Sequence, residues 1–318
     1  MIACVFPGQG AQKIGMGREL ADQFPICRDT LAEADDALGE SLSRLCFEGP
    51  QEVLQLTENT QPAILAVSVA VYRLAASHGV RASFAAGHSL GEYSAHVAAG
   101  TLSFADALRT VRRRGQYMQE AVPVGEGAMA AVLGLDHEAV GQACADAAAD
   151  GGIVAPANLN APGQVVIAGQ AVAVARAGQL AKDRGAKRVI ALAVSAPFHC
   201  PLMKPAEARL APVLRALATA DPRIPVVANV DAQPKTTAAS AVEALIRQVS
   251  SPVRWEEVVR RLVAEGARTF VELGPGTVLA GLIRKIDSTV TATSIENSQG
   301  LDRALELLRS SPGDAGHG

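Results

Sequence analysis

Ser89 lies in Gly87-His88-Ser89-Leu90-Gly91, a Gly-x-Ser-x-Gly pentapeptide. An extended run of small residues precedes it (Arg81 to Ala86), and a helical pattern follows (Glu92 to Ala99). This order reads as a nucleophile elbow, a turn so sharp that the serine needs small neighbours and shows its hydroxyl at the top of a sheet. The helix behind it offers free N–H groups and a positive dipole end to a developing oxyanion. The plainer alternative is an ordinary strand–helix turn with Ser89 as a cap.

A serine nucleophile needs a base, normally histidine, and six histidines compete. His317 is in the tail, His78 ends a helix beside Gly79, and His137 starts a helix far along the chain. At a tight elbow His88 points away from Ser89, and His96 is about two turns further on. His199 remains, after a strand and the turn Ser195-Ala196-Pro197-Phe198, where a parallel strand ends at an active-site edge; a packed core histidine is the competing reading. His88, Glu92 and His96 share a helix face but do not form H-E-x-x-H, so no metal site is expected. Arg114 is the other chemically pointed residue. Phe104, Ala107, Leu108, Val111, Gly115 and Met118 form an apolar helix face, and Arg114 falls on it, whereas Arg112 and Arg113 fall off it and are expected to be solvated. A buried guanidinium requires a carboxylate partner, either a structural Asp or Glu or one carried by a substrate.

These residues need elements to hold them. Ile2 to Phe6 reads as a strand ending in Pro7-Gly8-Gln9-Gly10, with helices at about Gly17–Gln23, Cys27–Leu38, Gln61–Ser77 and Ser103–Glu120. From 125 to 194 the pattern becomes β-α-β-β-α-β, the order of a ferredoxin-like unit. Beyond it, Leu202–Ala218, Ala239–Val249 and Trp255–Glu265 read as helices, Val226–Asn229 and Thr269–Glu272 as strands, and a last helix runs to Ile286. The expected fold is α/β: an α/β-hydrolase-like large subdomain with a parallel sheet (1–124 and 195–290), an inserted ferredoxin-like small subdomain (125–194), and a C-terminal helix with a disordered tail (291–318).

Composition narrows the class. In 318 residues, 49% hydrophobic and 19% charged content supports a sizeable core. Aromatic content of 3% and a net charge of −3 argue against nucleic-acid or anionic-lipid partners. Five widely spaced cysteines, without C-x-x-C, fit a reduced, cytoplasmic protein. No signal peptide is evident, and the longest apolar helical run, Pro62 to Ala76, carries Arg73 and is too short to span a bilayer.

Phe6-Pro7-Gly8-Gln9-Gly10-Ala11-Gln12, Gly87 to Glu92, Arg114-Gly115, Asn158 to Gln164, Phe198-His199 and Gln248 to Pro252 together resemble the malonyl-CoA:acyl-carrier-protein transacylases of bacterial fatty acid and stand-alone polyketide synthesis. The resemblance spans essentially residues 1–290. It implies Ser89 as nucleophile, His199 as base, and the Gln9 and Leu90 N–H groups as oxyanion hole. It further implies Arg114 as the grip on the malonyl carboxylate, and a main-chain carbonyl near Gln248 in place of a triad aspartate. Asn158 and Asn160 would line the coenzyme A arm, and Gln61 the acyl pocket. Phe198 goes with malonyl rather than methyl-branched units in related acyltransferases. Malonyl-CoA and an acyl carrier protein are the implied partners, the coenzyme A thioester being a substrate with no cofactor beside it; a monomer is implied. Lys182, Arg184, Lys187 and Arg188 could dock an acidic carrier or be a solvated edge. An acyl-thioester serine hydrolase of a polyketide system would share Ser89, His199 and the oxyanion hole, and is the alternative; an intact Ser89, His199 and Arg114 argue against a non-catalytic module.

Overall fold

The computed structural model describes residues 1–149 and 151–310; most of the expected Ser310–Gly318 tail therefore lies outside the described residues. Among the described residues, ten strands form two sheets. β1 (Ile2–Phe6), β2 (Phe84–Gly87), β7 (Val226–Val227), β8 (Pro234–Lys235), β9 (Thr269–Leu273) and β10 (Thr291–Ile295) build the larger one, in the order β10-β9-β1-β2-β7-β8. Its first five strands are parallel and β8 is antiparallel to β7. The central strands are buried on both faces, as a parallel sheet covered by helices requires. Register places Phe6 beside Gly87 and Ala86 beside Val227. The segments after β1, β2 and β7 therefore leave the same carboxyl edge side by side, where α/β sheets bind ligands.

The second sheet interrupts the first. β3 (Gly127–Leu133), β4 (Val154–Ala161), β5 (Gln164–Gln170) and β6 (Arg188–Ala191) are antiparallel in the order β4-β5-β3-β6, with helices His137–Ala148 and Ala171–Asp183 supplying the crossovers and a core of their own. This is the ferredoxin-like arrangement expected for 125–194. The small sheet is stitched to the large subdomain outside its sheet, where Leu159 N–H donates to the Val253 carbonyl and Val253 N–H to that of Ala157, both at 2.8 Å.

Three expectations change. Residues 291–295 form the edge strand of the large sheet, and helix Ser298–Ser310 contributes the buried Leu301 and Ala304 to its main core. The large subdomain therefore continues past 290. Helices Leu42–Glu48 and Gln51–Leu54 replace an unassigned stretch; they are too short to show a clear period. Arg112 is half-buried rather than solvated, donating to Asn59 Oδ1 at 2.8 Å and to Glu40. All five cysteines are free and buried. Among the described residues, no helix is long and apolar enough to cross a membrane.

Candidate active site

The elbow's small residues are demanded by close packing. A Cβ on Gly87 would lie 2.0 Å from the Gly91 carbonyl, one on Gly91 2.2 Å from the Phe6 oxygen, and one on Gly8 2.5 Å from the His88 oxygen. Only glycine lets β1, the elbow and the Pro7–Gly10 loop approach so closely. Ser89 itself takes φ 53°, the left-handed turn that pushes its side chain out of the sheet edge.

Ser89 Oγ lies 2.7 Å from His199 Nε2. The other ring nitrogen, Nδ1, is 3.0 Å from the Gln248 main-chain carbonyl. A carbonyl only accepts, so Nδ1 carries the proton, Nε2 is bare, and the serine hydroxyl donates to it. Burial foremost, then the positive charge of Arg114, draws the His199 imidazole down to about 3, against the pull of the Gln248 carbonyl. The ring is therefore neutral at pH 7. His88 turns away as expected: its Nε2–H donates to Asn160 Oδ1 at 2.8 Å, and its ring leans on Trp255. His96 is buried in the elbow helix with neither ring nitrogen partnered. Among the described residues, no His, Cys, Asp and Glu cluster could hold a metal.

Arg114 is 1% exposed and makes no ion pair with a carboxylate among the described residues. It donates to Gln61 Oε1 at 2.8 Å, Gln248 Oε1 at 2.9 Å and Ser89 Oγ at 3.1 Å, and its Nε–H has no partner. Gly115 seats it: a Cβ there would come within 2.6 Å of Glu58 Cα, so this glycine lets helix Phe104–Glu120 lie against helix Thr57–Ser77 and brings Arg114 to Gln61. The acceptors it reaches on Gln61, Gln248 and Ser89 are uncharged and its guanidinium lies over the Tyr93 ring; Glu92 acts on it through space without an ion pair, so the cation is poised for an anion from outside.

A cavity of about 110 Å³ opens over Ser89, lined by Gln9, Gln61, Leu90, Arg114, Met118, Asn158, Phe198 and His199 among others. A second, of about 240 Å³, adjoins it through Gln9, His88, Asn158 and Leu192 and reaches Asn160, Gln164 and the helix beginning at Val278. Every site residue read from the sequence meets here except Gln248, which stands behind Ser89 rather than on the wall. Gln9 is steadied by its side chain, which donates to Thr57 Oγ1 at 3.3 Å. Thr57 in turn meets Ser195 Oγ at 3.0 Å. Glu92 and Asn229, assigned no role from the sequence, lie directly behind the elbow. The only sequence signal for them is a polar residue inside a buried helix and another just after a buried strand.

The comparisons agree with the geometry. Residues 3–303 match the acyl transferase domain family. Malonyl CoA-acyl carrier protein transacylase from Bacillus subtilis is 50% identical over 308 residues, 97% of each chain. The Escherichia coli K12 protein of that name is 49% identical over 306 residues, covering 96% of this chain and 99% of its own. The acyl carrier protein S-malonyltransferase of Vibrio cholerae superposes with a TM-score of 0.93 at 49% identity over 95% of this chain and 99% of that one. A malonyl-transacylase solved in complex with its type II PKS acyl-carrier protein superposes at 0.94, also 49% identical, over 96% and 99%. Identity of this order along nearly the whole of both chains, on one shared fold, makes this protein a member of the malonyl CoA-acyl carrier protein transacylase family.

Proposed function

We propose that the Ser89–His199 pair transfers a malonyl group from malonyl-CoA to the phosphopantetheine thiol of an acyl carrier protein, through a malonyl ester of Ser89. Arg114 carries the reading of the acyl group: a buried cation with no carboxylate within ion-pair reach among the described residues, 3.1 Å from the nucleophile, fits an acyl chain that ends in a carboxylate. Acetyl would leave this charge without a counter-ion.

His199 Nε2 takes the Ser89 proton as Oγ attacks the thioester carbonyl, while the Gln248 carbonyl holds Nδ1–H and favours the imidazolium that forms. The N–H groups of Gln9 and Leu90 donate to the oxyanion, each contributing about 3–4 kcal/mol. His199 protonates the departing coenzyme A sulfur. The carrier thiol then gives its proton to Nε2, attacks the ester, and Ser89 leaves with the proton restored, so the kinetics are ping-pong. Gln61 fixes Arg114, Phe198 restricts room at the acyl α-carbon, and Asn158 and Asn160 face the thioester arm along the second cavity. The reaction belongs to fatty acid or polyketide synthesis in the cytoplasm, and all its groups come from one chain.

Intact-protein mass after brief exposure to malonyl-CoA tests this. A malonyl adduct is expected on the wild type, weak from acetyl-CoA and absent in Ser89→Ala. Arg114→Ala is expected to cut the preference for malonyl over acetyl by about tenfold or more, the worth of about 1.5–3 kcal/mol for a hydrogen bond to a charged group. Coenzyme A released steadily with no adduct would mean hydrolysis instead of transfer.

A further inference from the structure

The main chain around Ser89 is held from behind by side chains from distant parts of the fold. Asn229 accepts the Ser89 N–H on Oδ1 at 2.8 Å and donates Nδ2–H to the Gly87 carbonyl at 2.7 Å. Gln248 donates Nε2–H to the Ser89 carbonyl at 2.9 Å. Both holders converge on one atom: Glu92 Oε2 accepts the Asn229 main-chain N–H at 2.9 Å and Gln248 Nε2–H at 2.8 Å. Glu92, Asn229 and Gln248 are all 0% exposed. The residue so gripped has φ 53°, a left-handed conformation that is strained for a non-glycine residue and persists only where its surroundings over-determine it.

A buried carboxyl group needs a reason to be there. Glu92 has none in the proton transfers, since it touches neither Ser89 Oγ nor His199. Its Oε1 has no partner, and Oε2 faces only N–H donors. Because Gln248 gives both its N–H groups' side to Glu92 and Ser89, its amide oxygen is turned toward Arg114.

We infer that Glu92 and Asn229 are positioning residues for acylation: Asn229 holds the elbow in the turn that aims Ser89 at His199, and Glu92, as a hydrogen-bond acceptor, anchors Asn229 and orients Gln248 toward Arg114. The inference rests on Ser89 being the nucleophile. Asn229 acts chiefly on the nucleophile and meets Gln248 Nε2 only through a long contact at 3.4 Å, whereas Glu92 holds Gln248 at 2.8 Å and so acts on both the nucleophile and the acyl grip; the two should separate kinetically.

Pre-steady-state malonyl loading, with amide hydrogen exchange at Ser89 alongside, tests it. Asn229→Ala is expected to lower kcat about 100-fold, the cost of a misplaced reacting group, with KM for malonyl-CoA little changed and Ser89 N–H exchange accelerated. Glu92→Leu is expected to lower kcat similarly and also to raise KM and weaken malonyl preference. Glu92→Gln, whose amide oxygen can take the place of Oε2, should load at close to the wild-type rate. Asn229→Asp keeps the acceptor for Ser89 N–H but not the donor to Gly87, and is expected to lose about tenfold. It decides the matter if the apolar variants do not fold. Wild-type kcat in a folded Asn229→Ala, Glu92→Leu or Asn229→Asp would overturn the inference, as would a Glu92→Gln defect equal to that of Glu92→Leu. An adduct surviving in Ser89→Ala would instead overturn the nucleophile assignment on which it rests.

Discussion

A histidine held neutral by burial changes how the reaction should answer to pH. An ordinary imidazole titrates near 6.5, so a free-histidine base would lose half its capacity there. His199 is drawn down to about 3, so its bare, proton-accepting form persists as pH falls. Malonyl loading is therefore expected to stay level from pH 8 to 5 as far as His199 is concerned. Glu92 and Glu272 also fall in this range, both pushed up to about 7 chiefly by burial, Glu92 against the N–H donors of Asn229 and Gln248 and Glu272 against those of Ala280 and Leu279. Measuring the profile in Glu92→Gln and Glu272→Gln isolates the base: an acid limb centred near 6.5 that persists in both variants would show that His199 titrates normally. Two readings of Arg114 stood open from helix spacing alone, a structural carboxylate or a substrate one. Its actual partners, Gln61, Gln248 and Ser89, favour the second.

At the scale of elements, the site depends on how closely backbones pass one another. Gly91 is the tightest point between the elbow helix and β1. Gly91→Ala is expected to destabilise the protein by about 1–3 kcal/mol, the usual cost of forcing extra volume into a packed interior, and to suppress Ser89 acylation more than that loss explains. Thermal unfolding beside malonyl loading measures both; a fully stable, fully active variant would contradict the packing account. The helix Val278–Ile286 on the far cavity wall is fixed differently. The buried Glu272, at the end of β9, accepts its Leu279 and Ala280 N–H groups at 3.1 and 2.8 Å, satisfying two of the orphan donors at its start. Extended backbone also ends sooner than the apolar pattern suggested: β6 stops at Ala191 and β7 at Val227. The residues just beyond them, Leu192 to His199 and Asn229, are freed to build the site.

Across the whole molecule, the two subdomains divide the work. The large one holds Ser89, His199, Arg114 and Gln248, while the small one contributes Asn158, Asn160 and Met129 to the cavity walls. The small subdomain also presents Lys182, Arg184, Lys187 and Arg188, all exposed, with Arg184 paired to Asp146. If this edge steers an acidic carrier, reversing Lys182 and Lys187 to Glu should lower kcat/KM for the carrier about tenfold at low salt, an effect that shrinks as salt rises, without altering loading from malonyl-CoA. Equal rates for wild type and the double variant in the second half-reaction would assign these residues to a solvated edge.

Local sequence alone determined much of this protein. Apolar alternation and helical period placed the main strands and helices, and the elbow pentapeptide singled out Ser89, because the turn needs glycine at fixed offsets. The order β-α-β-β-α-β was likewise legible, since each element carries its own apolar face. Tertiary structure decided what local pattern cannot encode. His199 is 110 positions from Ser89, and only strand register and the turn after Leu192 bring Nε2 to Oγ. Which carbonyl replaces a triad acid, whether Arg114 has a structural counter-ion, and why Glu92 is buried all depend on contacts across the carboxyl edge of the sheet. The chain there comes together from segments after β1, β2 and β7, and hydrogen bonds between such segments leave no periodic trace in the sequence.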